Sequence, residues 1–261
     1  MKRLSKLSPA ETLLVLHGTK APLKELLKVT FMDLLIKKAL KTTKANYRPS
    51  KYDRVQVITY VVPGRNFLEY KPLLHENFFL NPFWKNITLQ IIFRQLVKIG
   101  YQNSQSKKHC QELIYRSSTI ENCFSKNIIQ KIVGGFSLTA EGYHLRGVLQ
   151  NELDELGKIF PTLVASDKKK ALEVLETVKG NIFLLKNMDS EFLKEIDKEL
   201  SEQVKKNYSE SGADSGSGCW GCGSWDSFDH HSHSFDSGCS GGDSGCSSSG
   251  CSGCSGCGGG D

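Results

Sequence analysis

Leu7-Ser8-Pro9-Ala10-Glu11-Thr12-Leu13-Leu14-Val15-Leu16-His17-Gly18 is the stretch from which the fold can be read outward. Ser8 is placed to accept a hydrogen bond from an orphan backbone N–H, Glu11 to reach back, and Pro9 to occupy the first helical position, so a helix starts here. It runs to about Leu16, and Gly18 closes it. Pro22 opens a second helical stretch with Leu23, Leu26 and Leu27 on one face, and Thr30 is placed to cap a third that carries Phe31, Leu34, Leu35 and Leu40. Tyr47 and then Val55, Val57, Tyr60 and Val62 alternate with polar residues on either side of Tyr52-Asp53-Arg54, which reads as a β-hairpin ending at Pro63-Gly64. Helix, helix, helix, hairpin is the order of a winged helix-turn-helix unit, assigned to residues 1–72. Any small three-helix bundle followed by a hairpin gives the same string.

Residues 73–207 read as a second helical unit. Phe67, Tyr70, Phe78 and Phe79 are expected to plug the seam between the two. A long helical pattern runs from Pro82 through Ile87, Ile91, Leu96, Val97 and Ile99 to Gly100, followed by a polar helix over Lys107 to Arg116 and another over Phe124 to Val133. Gly135-Phe136-Ser137-Leu138-Thr139-Ala140-Glu141-Gly142-Tyr143 resembles the junction between wing and last helix in winged-helix regulators, with Thr139 as the cap. Helices continue to about Gly157. Ser166-Asp167 caps Lys168 to Val178, Gly180 breaks that helix, and Ile182-Phe183-Leu184-Leu185 is either a short buried strand or the end of the core. A final amphipathic helix from Asp189 or Ser190 carries Phe192, Leu193, Ile196, Leu200 and Val204. The expected class is mainly α (α+β), with one or two winged-helix-like units, small β-hairpins and C-terminal helices.

The last segment, residues 208–261, is different in kind. Residues 212–261 hold 15 Gly, 14 Ser and 7 Cys, residue types that build no packed core, so a disordered Gly/Ser/Cys/His tail is expected. That tail carries six Asp and no Lys or Arg, which leaves +12 of charge on the remainder of a chain whose net charge is +6. Such a basic body suits nucleic acid or an acidic protein as partner. Only Cys110 and Cys123 of the nine cysteines lie in the body, which argues against a disulfide-stapled secreted fold. Leu13 to Leu16 is too short for the apolar core of a signal peptide and no run of 18 apolar residues occurs, so a cytoplasmic protein without a membrane span is expected.

Two groups of residues could carry chemistry. Lys37, Lys38, Lys41, Lys44, Arg48, Lys51 and Arg54 cluster over the expected third helix and the hairpin, where a winged-helix unit meets phosphates; a solvated helix end gives the same cluster. In the tail, Cys219 and Cys222, then Cys251, Cys254 and Cys257, stand in Cys-x-x-Cys steps that let two thiolates reach one tetrahedral ion, and His230, His231 and His233 add imidazoles. Zinc is the metal such a set would take, although the 28-residue gap between Cys222 and Cys251 exceeds common four-cysteine spacing. A reversible thiol or acylation role and a passive low-complexity tail are the alternative readings of this composition.

No enzyme motif is expected. His75-Glu76-Asn77-Phe78-Phe79 lacks the second histidine of a zincin helix, and Gly238-Cys239-Ser240-Gly241-Gly242 has no strand or helix around it.

Leu7-Ser8-Pro9-Ala10-Glu11 with Leu26-Leu27 and Asp33-Leu34-Leu35, then Leu138-Thr139-Ala140-Glu141-Gly142 and the Gly/Cys-rich end, together resemble an uncharacterised family of bacterial proteins with a helical, winged-helix-like body. Members often add membrane helices that this sequence lacks, and the resemblance implies no activity and no catalytic residues. The reading from residues is therefore a non-enzymatic binding protein that contacts nucleic acid through its basic face, or alternatively a protein-interaction scaffold with a metal- or thiol-responsive tail. Oligomeric state is not legible.

Overall fold

The computed structural model describes residues 1–48, 52, 54–125, 135–185 and 227–233. The capping box forms as the sequence leads one to expect: Ser8 Oγ accepts the Glu11 N–H at 3.3 Å and Glu11 Oε2 accepts the Ser8 N–H at 2.6 Å. Two donors that a helix start would leave unmet are satisfied. Helix α1, Pro9–His17, follows, and Gly18 ends it at φ 56°. Every residue from Pro9 to Leu16 is buried.

Helix α2, Leu23–Ile36, is continuous where two helices were expected. Thr30 does not cap a new helix; its hydroxyl donates back to the Leu26 carbonyl at 2.7 Å and is satisfied inside the turn. Two helices, not three, therefore precede the hairpin. Leu40, expected on a helix, instead opens strand β1, Leu40–Tyr47, which pairs antiparallel with β2, Gln56–Pro63, from Leu40↔Pro63 to Tyr47↔Gln56. The short β3, Ile91–Ile92, adds to β2 through Tyr60↔Ile92, giving the order β1-β2-β3.

The long helix expected from Pro82 to Gly100 is two helices, α3 (Asn77–Lys85) and α4 (Phe93–Ser104), with β3 between them. Asn86 breaks the run by accepting the Thr88 N–H on its own side chain at 3.0 Å, a local turn that competes with the helix. Pro82 lies inside α3 and has no N–H to offer the Phe78 carbonyl; the Asn103 side chain of α4 donates to that oxygen at 2.8 Å instead.

Helix α5, Lys107–Tyr115, is where the sequence puts it, capped by Ser106. Phe124, read as a helix start, lies in β4 (Phe124–Ser125), paired with β5 (Ser137–Leu138). The Phe124 and Phe136 rings meet edge to face at 5.0 Å across that pair; residues 126–134 fall outside the described residues. Thr139 caps α6 by accepting the Gly142 N–H at 3.1 Å, as expected. Helix α6 spans Ala140–Ser166, past the end expected at Gly157, with Pro161 on an exposed position where water can serve the orphaned Gly157 carbonyl. Asp167 caps α7, Lys168–Val178, and a buried 3₁₀ turn, Lys179–Leu184, closes the body. There the Asn181 amide donates to the carbonyls of both Leu4 and Leu7 at 2.8 Å.

One contiguous cluster of buried side chains runs from Leu4 through Phe67, Phe79 and Phe83 to Leu149, Phe160 and Leu185, so residues on both sides of position 72 share a core. The molecule is mainly helical with two small antiparallel sheets. Among the described residues no helix is long and apolar enough to cross a membrane.

The tail holds the main departure from expectation. Residues 227–233 form a short helix, α8, and Phe228 is 0% exposed within the body's core cluster. Composition misleads here because a single aromatic side chain is enough to anchor a segment if the body offers it a seat. The expected helix with Phe192, Leu193, Ile196, Leu200 and Val204 lies outside the described residues.

Candidate functional site

Three places bring polar or aromatic side chains together. The first is the hairpin. Near the body its residues are buried, Thr42 and Val61 facing the core, but residues 44–48 and 54–57 are exposed, so the distal half stands clear as an arm. Strand alternation puts Lys44, Asn46 and, in the same sense, Arg48 on one face and Tyr47 on the other. Tyr52 at the tip is 94% exposed and Val57 63%. Of the seven basic residues singled out from the sequence, Lys44, Arg48 and Arg54 are exposed on this arm, Lys41 is half-buried at its base, and Lys51 lies outside the described residues.

Lys37 and Lys38 do not belong with that group. Lys37 turns into the protein, where its ammonium meets Asp33 Oδ2 at 2.6 Å and Glu76 Oε1 at 3.0 Å and donates to the Tyr70 hydroxyl at 3.1 Å. Its charge is neutralised internally and is not offered to phosphate. Burial alone would lower its pKa, but Asp33 and Glu76 outweigh that and hold it well above the usual lysine value. Burial pushes Asp33 up against the pull of Lys37, and pushes Tyr70 up with help from Glu76, so the phenol stays protonated and donates to Glu76 Oε1 at 2.7 Å.

This network floors the second place, a cleft of about 1030 Å³ between the N-terminal turn, the end of α2, the Gly64–Asn66 turn and α7. Lys6, Lys38, Arg65, Lys71 and Lys179 line it along with Lys37, against Glu11, Asp33 and Glu176. Glu11 is fully engaged, by Ser8 N–H and by the Thr119 hydroxyl at 2.5 Å. Asp33 accepts the Gly180 N–H at 3.1 Å besides its pairing with Lys37. His75, wholly buried beside Glu76, has neither ring nitrogen hydrogen-bonded, and burial holds it neutral.

The third place is the seat of α8. Phe228 lies against Phe31 and Phe79, with ring centroids 6.0 and 6.4 Å away, and Asp229 pairs with Lys24 at 3.0 Å and with the buried Lys28. His231 rests on the Phe93 ring at 6.1 Å, and burial, with His230 and Arg94 nearby, lowers its pKa. His230 and His233 are exposed. The candidate metal ligands Cys219, Cys222, Cys251, Cys254 and Cys257 lie outside the described residues, and within those residues no three His, Cys, Asp or Glu side chains are placed to hold a metal ion. Cys110 and Cys123 are free and buried, and burial pushes the Cys110 thiol up to about 12, the mark of an inert packing cysteine.

Sequence reading missed the cleft network, although a signal was there. Asp33 stands in the apolar run Phe31-Met32-Asp33-Leu34-Leu35 four residues before Lys37, the spacing of a helical ion pair. Tyr70 and Glu76 carried no such signal, because their approach depends on the fold. Comparison with protein-family models, curated proteins and solved structures finds no match to this chain.

Proposed function

We propose that this is a binding protein whose hairpin arm engages single-stranded nucleic acid. The observation that carries the reading is the exposed distal half of the hairpin, which presents Lys44, Arg48 and Arg54 together with the exposed Tyr52 at the tip and, on the strand face opposite Lys44 and Arg48, Tyr47. Cations that track a phosphate backbone, interleaved with aromatic faces on which bases stack, are what a sequence-tolerant strand-binding surface needs. Titration of a labelled 20-mer single strand against salt tests it. Binding should weaken with a log–log slope of roughly −0.7 per phosphate contact. Arg48→Ala with Arg54→Ala should make the slope shallower by about 1.4, and Tyr52→Ala should cost about 1–3 kcal/mol with the slope unchanged. Absence of binding at low salt would sink the reading.

A second reading, protein docking, is favoured by one observation: the body seats Phe228 and Asp229 of its own tail on Phe31, Phe79, Lys24 and Lys28. A surface that accepts a phenylalanine-aspartate pair in cis can accept one from a partner. Competition by a soluble peptide of residues 224–236 against the tail, followed by proton exchange, tests that reading separately.

A further inference from the structure

The seat of α8 engages a pattern of residues, not a single ring. Phe228 and Ser232 are both 0% exposed, while His230 and His233 face solvent. Residues four apart lie on one side of a helix, so Phe228 and Ser232 form the face that α8 lays on the body. The Phe228 ring meets Phe31 and Phe79, which also meet each other at 5.4 Å, and Phe93 extends the cluster edge to face with Phe31 at 5.2 Å. On the body side, Lys24, Lys28 and Phe31 follow one another at spacings of four and three, a single stripe along α2. That stripe presents cations and then a ring, and α8 answers with a ring and then a carboxylate.

Each of the three engaged positions imposes a different requirement. At Phe228 it is an aromatic ring, fixed by the rings around it. At Asp229 it is a carboxylate, met by Lys24 at 3.0 Å and by the buried Lys28. At Ser232 it is small size. Its hydroxyl donates to the Asp229 carbonyl at 3.0 Å, inside its own helix, so it takes no bond from the seat and alanine would serve as well. A larger side chain at this enclosed position has no room unless close-packed neighbours shift.

Resting on the protein-docking reading above, we propose that the seat recognises helical segments of a partner protein that carry phenylalanine followed directly by aspartate, with a residue no larger than serine three positions after the aspartate. Helix α8 is the in-chain ligand that holds the seat until such a segment takes its place. The positions of His230 and His233, turned to solvent, are open to other residues. A seven-residue segment gives up much of its contact energy to become helical, so a partner that presents the same residues on a longer, preformed helix has the advantage.

Fluorescence anisotropy tests this, with a labelled peptide of residues 224–236 titrated by the full chain in its parent form and as Phe228→Ala, which disables the in-chain ligand. The peptide should bind the Phe228→Ala chain at least about tenfold more tightly than the parent, because a seat filled in cis is open only a fraction of the time. On the Phe228→Ala chain, Asp229→Asn in the peptide should weaken binding about tenfold, Ser232→Leu at least about tenfold, and Ser232→Ala or His230→Ala by no more than about threefold. Lys24→Gln in the chain should weaken the unsubstituted peptide about threefold and leave the Asp229→Asn peptide unaffected. An alanine-rich helical peptide carrying Phe-Asp-Ala-His-Ala should bind the Phe228→Ala chain and, on the parent chain, strip hydrogen-exchange protection from residues 227–233. No binding of the tail peptide to the Phe228→Ala chain at millimolar concentration would overturn the docking reading and this proposal together. Undiminished binding of the Ser232→Leu or Asp229→Asn peptide, or no binding of the alanine-rich one, would overturn the residue pattern while the docking reading stood, and equal affinity for the two chains would overturn α8 as the competing ligand.

Discussion

Phe228→Ala offers the sharpest test of how the tail is held. A seven-residue helix is far too short to stand alone in water, so α8 exists because of what it touches. Phe228 is 0% exposed and packs on Phe31 and Phe79, while Asp229 and Lys24 are partly open to solvent, so that bridge adds at most about 1 kcal/mol. Truncating a buried phenylalanine costs about 3–5 kcal/mol. Even the lower figure is more than a hundredfold in the docking equilibrium, enough to release the whole segment. Hydrogen exchange followed by mass spectrometry reads this directly: amides of residues 227–233 should lose their protection, together with amides of α2 around Phe31 that the segment covers, while those of α1 and α6 keep theirs. If the substituted chain retains protection in residues 227–233, then Phe228 is not the anchor and the assignment of α8 to this seat is wrong.

Other perturbations bear on the same architecture. His231 is held below its ordinary value of 6.5 by burial, with His230 and Arg94 adding to it; a base whose docked value is depressed favours docking while neutral, so protection of residues 227–233 should fall as pH drops from 6.5. Asp229 is held below 3.8 because its bonds to Lys28 and Lys24 outweigh burial, so a second loss should appear as pH falls from about 3.8, and an exchange profile flat from pH 7 to 3 would contradict both. Lys37→Met leaves Asp33 and Glu76 buried without their cation and should lower the stability measured in urea by about 3–5 kcal/mol. Gly180→Ala would place a Cβ 2.5 Å from Asp33 Oδ1 and 2.8 Å from its Cβ, and since Asp33 is fixed by Lys37, a loss of about 1–3 kcal/mol is expected by thermal melting.

What the sequence revealed and what it hid divide along the range of the interaction. Ser8, Thr139 and Asp167 were legible as caps because a cap is decided by bonds within three residues of itself. The hairpin was legible because alternation and turn residues are likewise local. Thr30 and Pro82 misled for the opposite reason. Each has a local preference for ending or starting a helix, and each is overruled, Thr30 by a helix buried on every side and Pro82 by an amide from Asn103. Lys37 shows the same division: it is close to Lys41 and Lys44 in sequence, but its ammonium is held by Asp33, one turn back on α2, and by Glu76, almost forty positions away. Phe228 was hidden most deeply, since nothing in a Gly/Ser/Cys background announces that the body carries a seat for one ring.

Helix α2 joins the places discussed above. It carries Lys24, Lys28 and Phe31 to the tail seat and Asp33 to the cleft, and it ends at Lys37. Lys28 and Asp33 are five residues apart, about 7.5 Å along the axis, which invites the idea that tail release signals to the cleft. Physical argument goes the other way. Coupling between two sites needs an element with two arrangements that both sites bias. Helix α2 is buried from Leu26 to Leu35, and close-packed interiors do not let a helix slide without repacking everything around it. Its far end is clamped by Gly64 and Asn66. The tail is therefore expected to leave the seat without moving the cleft, so in Phe228→Ala the Ala39, Gly64 and Asn66 amides that close the end of α2 should keep their hydrogen-exchange protection. Loss of protection there, in step with the loss in residues 227–233, would show that α2 has a second position after all.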